Sequence, residues 1–233
     1  GVVSGLHVVA AVLEYCGVTH YEVLVDEGAK VSAGKVLITA QGNTQKILLA
    51  ERTALNFLSH LSGISTLTNQ WVNEIAGTKC QIRDTRKTTP GLRQLEKFAV
   101  RMGGAVNHRL SLSDAALIKD NHIVAAGSIG AAFTAIKKMF PGKSIEIEVD
   151  SIDQLKEAIA LKPDLVLLDN MSPELCAEAV AVTAGTVKLE ASGGITFNNA
   201  KAYANSGVDY LAIGALTHSA PALDIGLDFR KGK

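Results

Sequence analysis

Apolar and polar positions change rhythm along the 233-residue chain. Between residues 21 and 51 they alternate in three short pieces, YEVLVDEG, KVLITAQG and QKILLAE. Gly-marked turns separate the pieces, so the pattern predicts a small, largely antiparallel β unit. Residues 52–76, RTALNFLSHLSGISTLTNQWVNEIA, place apolar residues at helical spacing instead, with Gly63 as a weak point. From residue 80 onward apolar runs recur: CQIRDT, GGAVNHRL, AALIKD, SIEIEVD, LVLLDN, VKLEASGG and YLAIGA. Most are separated by amphipathic stretches long enough for a helix; the gap between NHRL and ALIKD is too short for one. Helix starts are marked as well. Ser151 to Gln154 fits a capping box, Ser172-Pro173 an N-cap followed by proline, and Pro90 the opening of the helix after DTRKTTP. Such βαβα alternation predicts a parallel sheet covered by helices. The seven candidate strands favour an incomplete α/β barrel, with an open doubly wound sheet as the alternative.

Composition adds bounds. Hydrophobic residues make up 47% and charged residues 20%, enough for a sizeable core. Lys plus Arg equals Asp plus Glu at 23 each, so no global basic field points to nucleic acid or an anionic membrane. Apolar runs stay shorter than the roughly 18 residues of a membrane span. Three scattered cysteines, Cys16, Cys80 and Cys176, favour reduced thiols in the cytoplasm. Gly1 is not a start methionine and no signal peptide is legible, which suggests a chain that begins partway into a longer product.

Charge is local although the total is zero. Between Arg83 and Lys119 eight cations face three acids. Arg93, Lys97 and Arg101, spaced i, i+4, i+8, read as a solvated helix face. Arg86, Lys87, Arg109 and Lys119 stand at the ends of apolar runs and read as an anion site. Adjacent residues on extended chain point to opposite faces, so Arg86 and Lys87 would serve different neighbours.

In an α/β barrel, the C-terminal strand ends gather at one mouth. Here nearly every predicted strand ends in polar groups: Asp84-Thr85-Arg86-Lys87, His108-Arg109, Lys119-Asp120, Asp169-Asn170, Ser192-Gly193-Gly194 and Gly214. Glu146, Glu148 and Asp150 share one strand face by the period of two. The glycine-bearing loops after the last two strands suit a phosphate, because glycine lets backbone N–H groups approach an anion. Carboxylates opposite the cations suit ribose hydroxyls or a magnesium ion near a diphosphate. No serine triad, zinc-ligand spacing or dinucleotide fingerprint is present. A diphosphate-bearing sugar fits this set better than a redox nucleotide.

The string DTRKTTPGLRQLEKFAVRMGGAVNHRLSLSDAALIKDNHI resembles the signature region of the quinolinate phosphoribosyltransferases. EIEVD, LVLLDN, VKLEASGGIT and IGALTHSAPALDI continue the resemblance, and GVVSGLHVVAAVLE and LLAERTALNFLSHLSGI resemble the family's N-terminal part. The resemblance implies an N-terminal α/β sandwich over 1–76, joined by the C-terminal segment 217–233. It implies an incomplete, seven-stranded TIM-like barrel over 77–216. The implied reaction joins quinolinate to phosphoribosyl diphosphate with magnesium and yields nicotinate mononucleotide, diphosphate and carbon dioxide. The implied assembly is a homodimer, or a higher oligomer, with sites shared across the interface.

By matched motifs, Arg86, His108 and Arg109 would meet the quinolinate carboxylates, with Thr85 alongside and Lys87 and Lys119 close by. Arg52 would reach the neighbouring subunit's site. Glu148 and Asp169 would serve the ribose and the magnesium ion, directly or through water, and Glu148 rather than Glu146 would face the ligand. Ser192, Gly193, Gly194 and Gly214 would hold the 5-phosphate. A further N-terminal segment with a basic residue directed at the partner's site belongs to the family pattern before residue 1. Two other readings stay open on the residues alone: an aldolase-type barrel with Lys119 as a Schiff base, and a non-catalytic metabolite sensor.

Overall fold

The computed structural model describes residues 1–111 and 114–230. In chain order its elements are α1 (Leu6–Tyr15), β1 (His20–Val23), β2 (Ile38–Gln41), α2 (Thr44–Glu74), β3 (Gln81–Arg83) and α3 (Arg93–Met102). Then come β4 (Ala115–Ile118), α4 (Asp120–Ala126), α5 (Ile129–Met139), β5 (Ser144–Val149), α6 (Ile152–Ala160) and β6 (Leu165–Asp169). The last are α7 (Pro173–Thr183), β7 (Lys188–Ser192), α8 (Ala200–Asn205), β8 (Tyr210–Ala212) and α9 (Ala215–His218). The chain divides into two compact units, one of residues 1–70, 87–105 and 215–233, the other of 71–86 and 106–214. Residues 112 and 113, within the motif string, and 231–233, at the end of the C-terminal segment, lie outside the described residues.

In the first unit, β1 and β2 pair antiparallel, from His20 opposite Gln41 to Val23 opposite Ile38. The third strand-like piece, QKILLAE, is not a strand; it forms the first two turns of α2. Asn43 explains the difference. Its side chain accepts from the amides of Gln45 and Lys46, donors that a helix start leaves without intrahelical partners. The burial pattern agrees: Leu48 and Leu49 are exposed, while Ile47, Ala50, Ala54 and Leu58 point inward at helical spacing. With Val3, Leu6, Val9, Leu13 and Val18 they form this unit's core. Each such aliphatic side chain contributes roughly 1.5–3 kcal/mol when fully buried.

Gly63 is not a break in α2. A Cβ there would lie 2.1 Å from the carbonyl oxygen of Pro221, so the glycine lets the C-terminal segment pass against the helix. That segment continues with the Leu223 amide donating to Ser59 O at 2.9 Å. Ile225 and Leu227 then cover the core. Along α3, Arg93, Lys97 and Arg101 do not form a solvated face, because Lys97 is buried at 1% exposure and makes polar interactions there. Beside it Glu96, also buried, accepts from His60 Nε2 at 2.9 Å and from the Thr89 amide at 3.0 Å. Burial raises the Glu96 pKa, but these hydrogen bonds outweigh it and hold the carboxyl below its usual range. Pro90 begins the turn before α3, which itself starts at Arg93.

The second unit is an incomplete α/β barrel. Six parallel strands run in the order β3-β8-β7-β6-β5-β4. The seventh apolar run, GGAVNHRL, contributes one bridge, Val106 beside Arg83, and no named strand. Its next backbone donor is taken elsewhere: the His108 amide donates to the buried carboxylate of Asp84. Ile145, Ile147, Val149, Val166, Leu168, Leu189, Ala191 and Leu211 are buried on the sheet, as are Leu155 and Ala158 of α6 and Cys176 and Ala179 of α7. The alternate strand positions carry Glu146, Glu148, Asp169, Glu190 and Ser192, so the other sheet face is polar. Ser172 caps α7 with Pro173 behind it. Ser151 caps α6, but Gln154 accepts from the Asp150 amide, so only half of the capping box forms.

Candidate active site

The strand register sorts the polar face into layers. Glu148 on β5 lies level with Leu167 on β6, Glu190 on β7 and Tyr210 on β8. Asp169, Ser192, Ala212 and Arg83 form the next layer toward the C-terminal strand ends. Glu146 sits one layer deeper than Glu148, level with Leu117 and Leu165.

At the C-terminal rim, Lys119 follows β4 and places Nζ 2.6 Å from Glu148 Oε2. Burial raises the Glu148 pKa, Lys119 lowers it, and the neighbouring acids Asp120 and Asp169 push it up again, so the net shift is upward. Three carboxylates around one lysine make a hard-oxygen set of the kind magnesium takes. Asp169, half-buried at the end of β6, accepts from Asn170 Nδ2 at 2.8 Å. The Asn170 amide donates to Ser192 O at 2.8 Å, which joins the ends of β6 and β7. Gly193 must be glycine: its φ is +85°, and a Cβ would lie 2.1 Å from Asn170 Oδ1. Asn199 closes the following loop by accepting from the Thr196 amide and donating to Gly194 O. Gly214 stands just past β8, after the Ile213 amide has donated to Arg83 O.

Arg86 and Arg109 come within electrostatic reach of each other. Burial lowers the Arg109 pKa first and the Arg86 charge lowers it further, against Glu146 and Asp114. Two guanidiniums that repel each other call for an anion between or beside them. Arg109 Nη1 donates to the Ala115 carbonyl at 2.9 Å, while its Nε is buried with no hydrogen-bond partner. Thr85 and Arg86 are half-buried and Lys87 is exposed. Lys87 and Arg52 belong to the first unit. There the Lys87 carbonyl accepts from Thr217 Oγ1 at 2.7 Å, and Arg52 is exposed, 3.6 Å from Glu51.

His108 sits apart from the rim. It is buried, and Nε2 faces Glu146 at 3.1 Å and Glu190 at 3.4 Å. Burial lowers its pKa; the two carboxylates raise it more, to about 9. The Arg109 amide donates to Nδ1 at 2.8 Å, a bond that a doubly protonated ring would give up. A cavity of about 290 Å³ opens beside this group, lined by Arg83, Asn107, His108, Arg109, Asp114 and Glu146 and by the first residues of β4, β5 and β6. Its lining thus draws on the end of β3 as well as on the first residues of β4, β5 and β6. The buried Cys80 and Cys176 thiols are pushed up to about 12 and about 11 by burial, so neither offers a thiolate near neutrality.

Comparison with known proteins decides the family. A family model for the quinolinate phosphoribosyl transferase C-terminal domain matches residues 64–228, and one for the N-terminal domain matches residues 1–62. The nicotinate-nucleotide pyrophosphorylase [carboxylating] of Mycobacterium leprae is 51% identical over 98% of this chain and 82% of its own length. The probable enzyme of that name from Synechocystis is 42% identical over 97% of this chain and 79% of its own. The chain belongs to the quinolinate phosphoribosyltransferase family. Solved structures agree. The nicotinate-nucleotide pyrophosphorylase of Ehrlichia chaffeensis superposes with a TM-score of 0.93 at 40% identity, covering 97% of this chain and 83% of that one. The Francisella tularensis protein gives 0.93 at 43% identity, covering 96% and 80%.

For this phosphoribosyltransferase family member, motif reasoning located the rim but assigned no role to Arg83, Asp84, Asn107, Glu146 or Glu190. Their signal was present. Glu146 and Glu190 interrupt otherwise apolar strands, and a charge within a buried strand must have a partner. The membership also sets aside the aldolase reading of Lys119. Among the described residues no helix is long and apolar enough to cross a membrane.

Proposed function

We propose that this chain transfers the phosphoribosyl group of phosphoribosyl diphosphate to quinolinate with decarboxylation, giving nicotinate mononucleotide, diphosphate and carbon dioxide for NAD biosynthesis. One observation carries the reading beyond family membership: two mutually repelling arginines, Arg86 and Arg109, share a barrel with a carboxylate rim of Glu148, Asp120 and Asp169. The first suits a dicarboxylate, the second a sugar that becomes cationic.

Arg86, Arg109 and His108 orient the two ring carboxylates, with Thr85 adding a hydroxyl. The ring nitrogen forms its bond to the anomeric carbon as the bond to diphosphate breaks. Glu148 and Asp169 stabilise the positive sugar as it develops, an electrostatic contribution. Lys119 can turn from Glu148 to the leaving oxygens, and Lys87 offers a second mobile cation. Ser192, Gly193, Gly194 and Gly214 receive the 5-phosphate. A magnesium ion fits the oxygen set of Glu148 and Asp169, directly or through water, and when bound would neutralise diphosphate charge. Quaternised nitrogen then eases loss of the adjacent carboxylate, and the ring carbon left behind takes a proton. Positioning and charge neutralisation suffice, without a covalent nucleophile.

A homodimer, or a larger assembly of such pairs, completes the reading. Arg52 projects from α2 near exposed Leu48 and Leu49, with Val23 and Leu24 also exposed in the same unit. An arginine amid surface leucines suits delivery into a second copy's site. Three free cysteines suit the cytoplasm. Incubating the protein with quinolinate, phosphoribosyl diphosphate and magnesium should give nicotinate mononucleotide by mass spectrometry, with none when either substrate is omitted. Absence of product with both substrates and magnesium present would overturn the reading.

A further inference from the structure

The segment Asn107–Arg109 carries two expected substrate contacts yet, among the described residues, has almost no sheet to hold it, since only Val106 bridges to β3. Two buried carboxylates take the place of the ladder. Asp84, with no exposed surface, accepts from the His108 amide at 2.7 Å and from Asn107 Nδ2 at 2.7 Å. Glu190, also fully buried, faces His108 Nε2 with one oxygen and accepts from Arg83 Nη1 at 2.5 Å with the other. Arg83 lies over the Tyr210 ring at 4.5 Å and reaches the Asn107 carbonyl, so the clamp closes on itself. Arg109 is tied in through its amide, which donates to His108 Nδ1.

Three ligand atoms, one each from His108, Glu146 and Glu190, lie within 4.8 Å of one another, a spacing that could hold a metal ion. The surroundings argue otherwise. Arg83 already neutralises Glu190, and Glu146 and Glu190 hold a proton on Nε2, where a metal would need a lone pair.

We propose that Glu190 and Asp84 are positioning residues for the dicarboxylate: from beneath, they fix the ring of His108 and the backbone of Arg109, replacing the missing strand pairing. This rests on the function proposed above. Its logic is that of outer partners which hold a binding group in one orientation. The groups facing the His108 ring are Glu146 from β5, Glu190 from β7 and the Arg109 amide; Arg83, Asp84, Arg86, Arg109 and Asp114 complete the charged surroundings.

Glu190→Gln keeps the shape and removes the charge. It should weaken quinolinate, in KM and in direct calorimetric binding, roughly 10-fold. KM for phosphoribosyl diphosphate should stay within about 2-fold, the split expected of a change confined to one substrate. The His108 titration, followed by imidazole NMR with His108→Asn for assignment, should fall from about 9 toward the ordinary 6.5. The alkaline limb of kcat/KM for quinolinate should move to lower pH with it. Asp84→Asn should weaken quinolinate in the same way.

Unchanged quinolinate affinity and an unchanged His108 titration in Glu190→Gln would overturn the proposal, and equal losses for both substrates would do so too. Should that variant not fold, Asp84→Asn decides: weakened quinolinate binding with an unchanged KM for phosphoribosyl diphosphate supports the clamp, and unchanged quinolinate affinity overturns it. A wild-type chain that binds quinolinate without turnover, and loses that binding in Glu190→Gln, would leave the clamp standing while the reaction fails. A wild-type chain that binds no quinolinate would end both.

Discussion

Glu146 and Glu148 stand two residues apart on the same face of β5 and meet opposite fates. Glu146 is 4% exposed and faces His108 within a closed set of buried charges. Glu148 lies at the rim, paired with a half-exposed lysine and crowded by Asp120 and Asp169. The interior tier is held by protein partners, so its charges serve to fix geometry. The rim has partners that can leave: a lysine on a flexible stem, glycine loops and acids that repel one another. A ligand or a cation competes with little at the rim and would have to displace an arginine in the interior. The partners a carboxylate meets, rather than its residue type, separate the group that binds from the group that holds.

Changing the rim should therefore cost turnover. Asp169→Ala should lower kcat roughly 100- to 1,000-fold while quinolinate still binds, because the charge it answers exists only in the transition state. Diphosphate release and equilibrium binding measured on the same sample separate the two, and a variant with wild-type kcat would break the distinction. Arg109→Ala removes one of the two guanidiniums that repel each other. It should raise KM for quinolinate roughly 30- to 100-fold with a smaller change in kcat. Steady-state kinetics against each substrate check it.

The interior tier should show itself in stability. The folded pKa of His108, about 9, lies above its ordinary 6.5. The stability its charge contributes is thus fully present below pH 6.5 and is lost as pH rises through 9. Between those limits the wild type should lose about 2 kcal/mol that His108→Asn does not lose, measured as denaturant midpoints across pH. Coincident pH profiles would mean that the ring is not held as a cation. The smallest effect belongs to the phosphate loop. Gly193→Ala strains a positive φ and collides with Asn170 Oδ1. KM for phosphoribosyl diphosphate should rise about 10-fold with quinolinate little affected.

Much of the rim was legible in the sequence, because strand-end chemistry follows from the βαβ rhythm alone. Lys119, Asp169 and the Ser192–Gly194 loop stand where that rhythm puts them. What escaped had physical causes. QKILLAE alternates well enough for a strand, but Asn43 supplies a helix cap and long-range packing decides the rest. Lys97 fits a solvated stripe by spacing and is buried by the packing of α3. GGAVNHRL reads as a strand, but the Asp84 carboxylate takes the His108 amide that a ladder would use. The partnership of Arg83 with Glu190 spans 107 positions, and no local pattern encodes it.

On this reading the arginines and the carboxylate rim bring a pyridine dicarboxylate and a phosphoribosyl donor together for decarboxylative transfer. Quinolinate labelled in the carboxylate next to the ring nitrogen tests it most directly. Labelled carbon dioxide should appear only when protein, phosphoribosyl diphosphate and magnesium are all present, in a one-to-one ratio with diphosphate. No label released, or release without the phosphoribosyl donor, would contradict this reading.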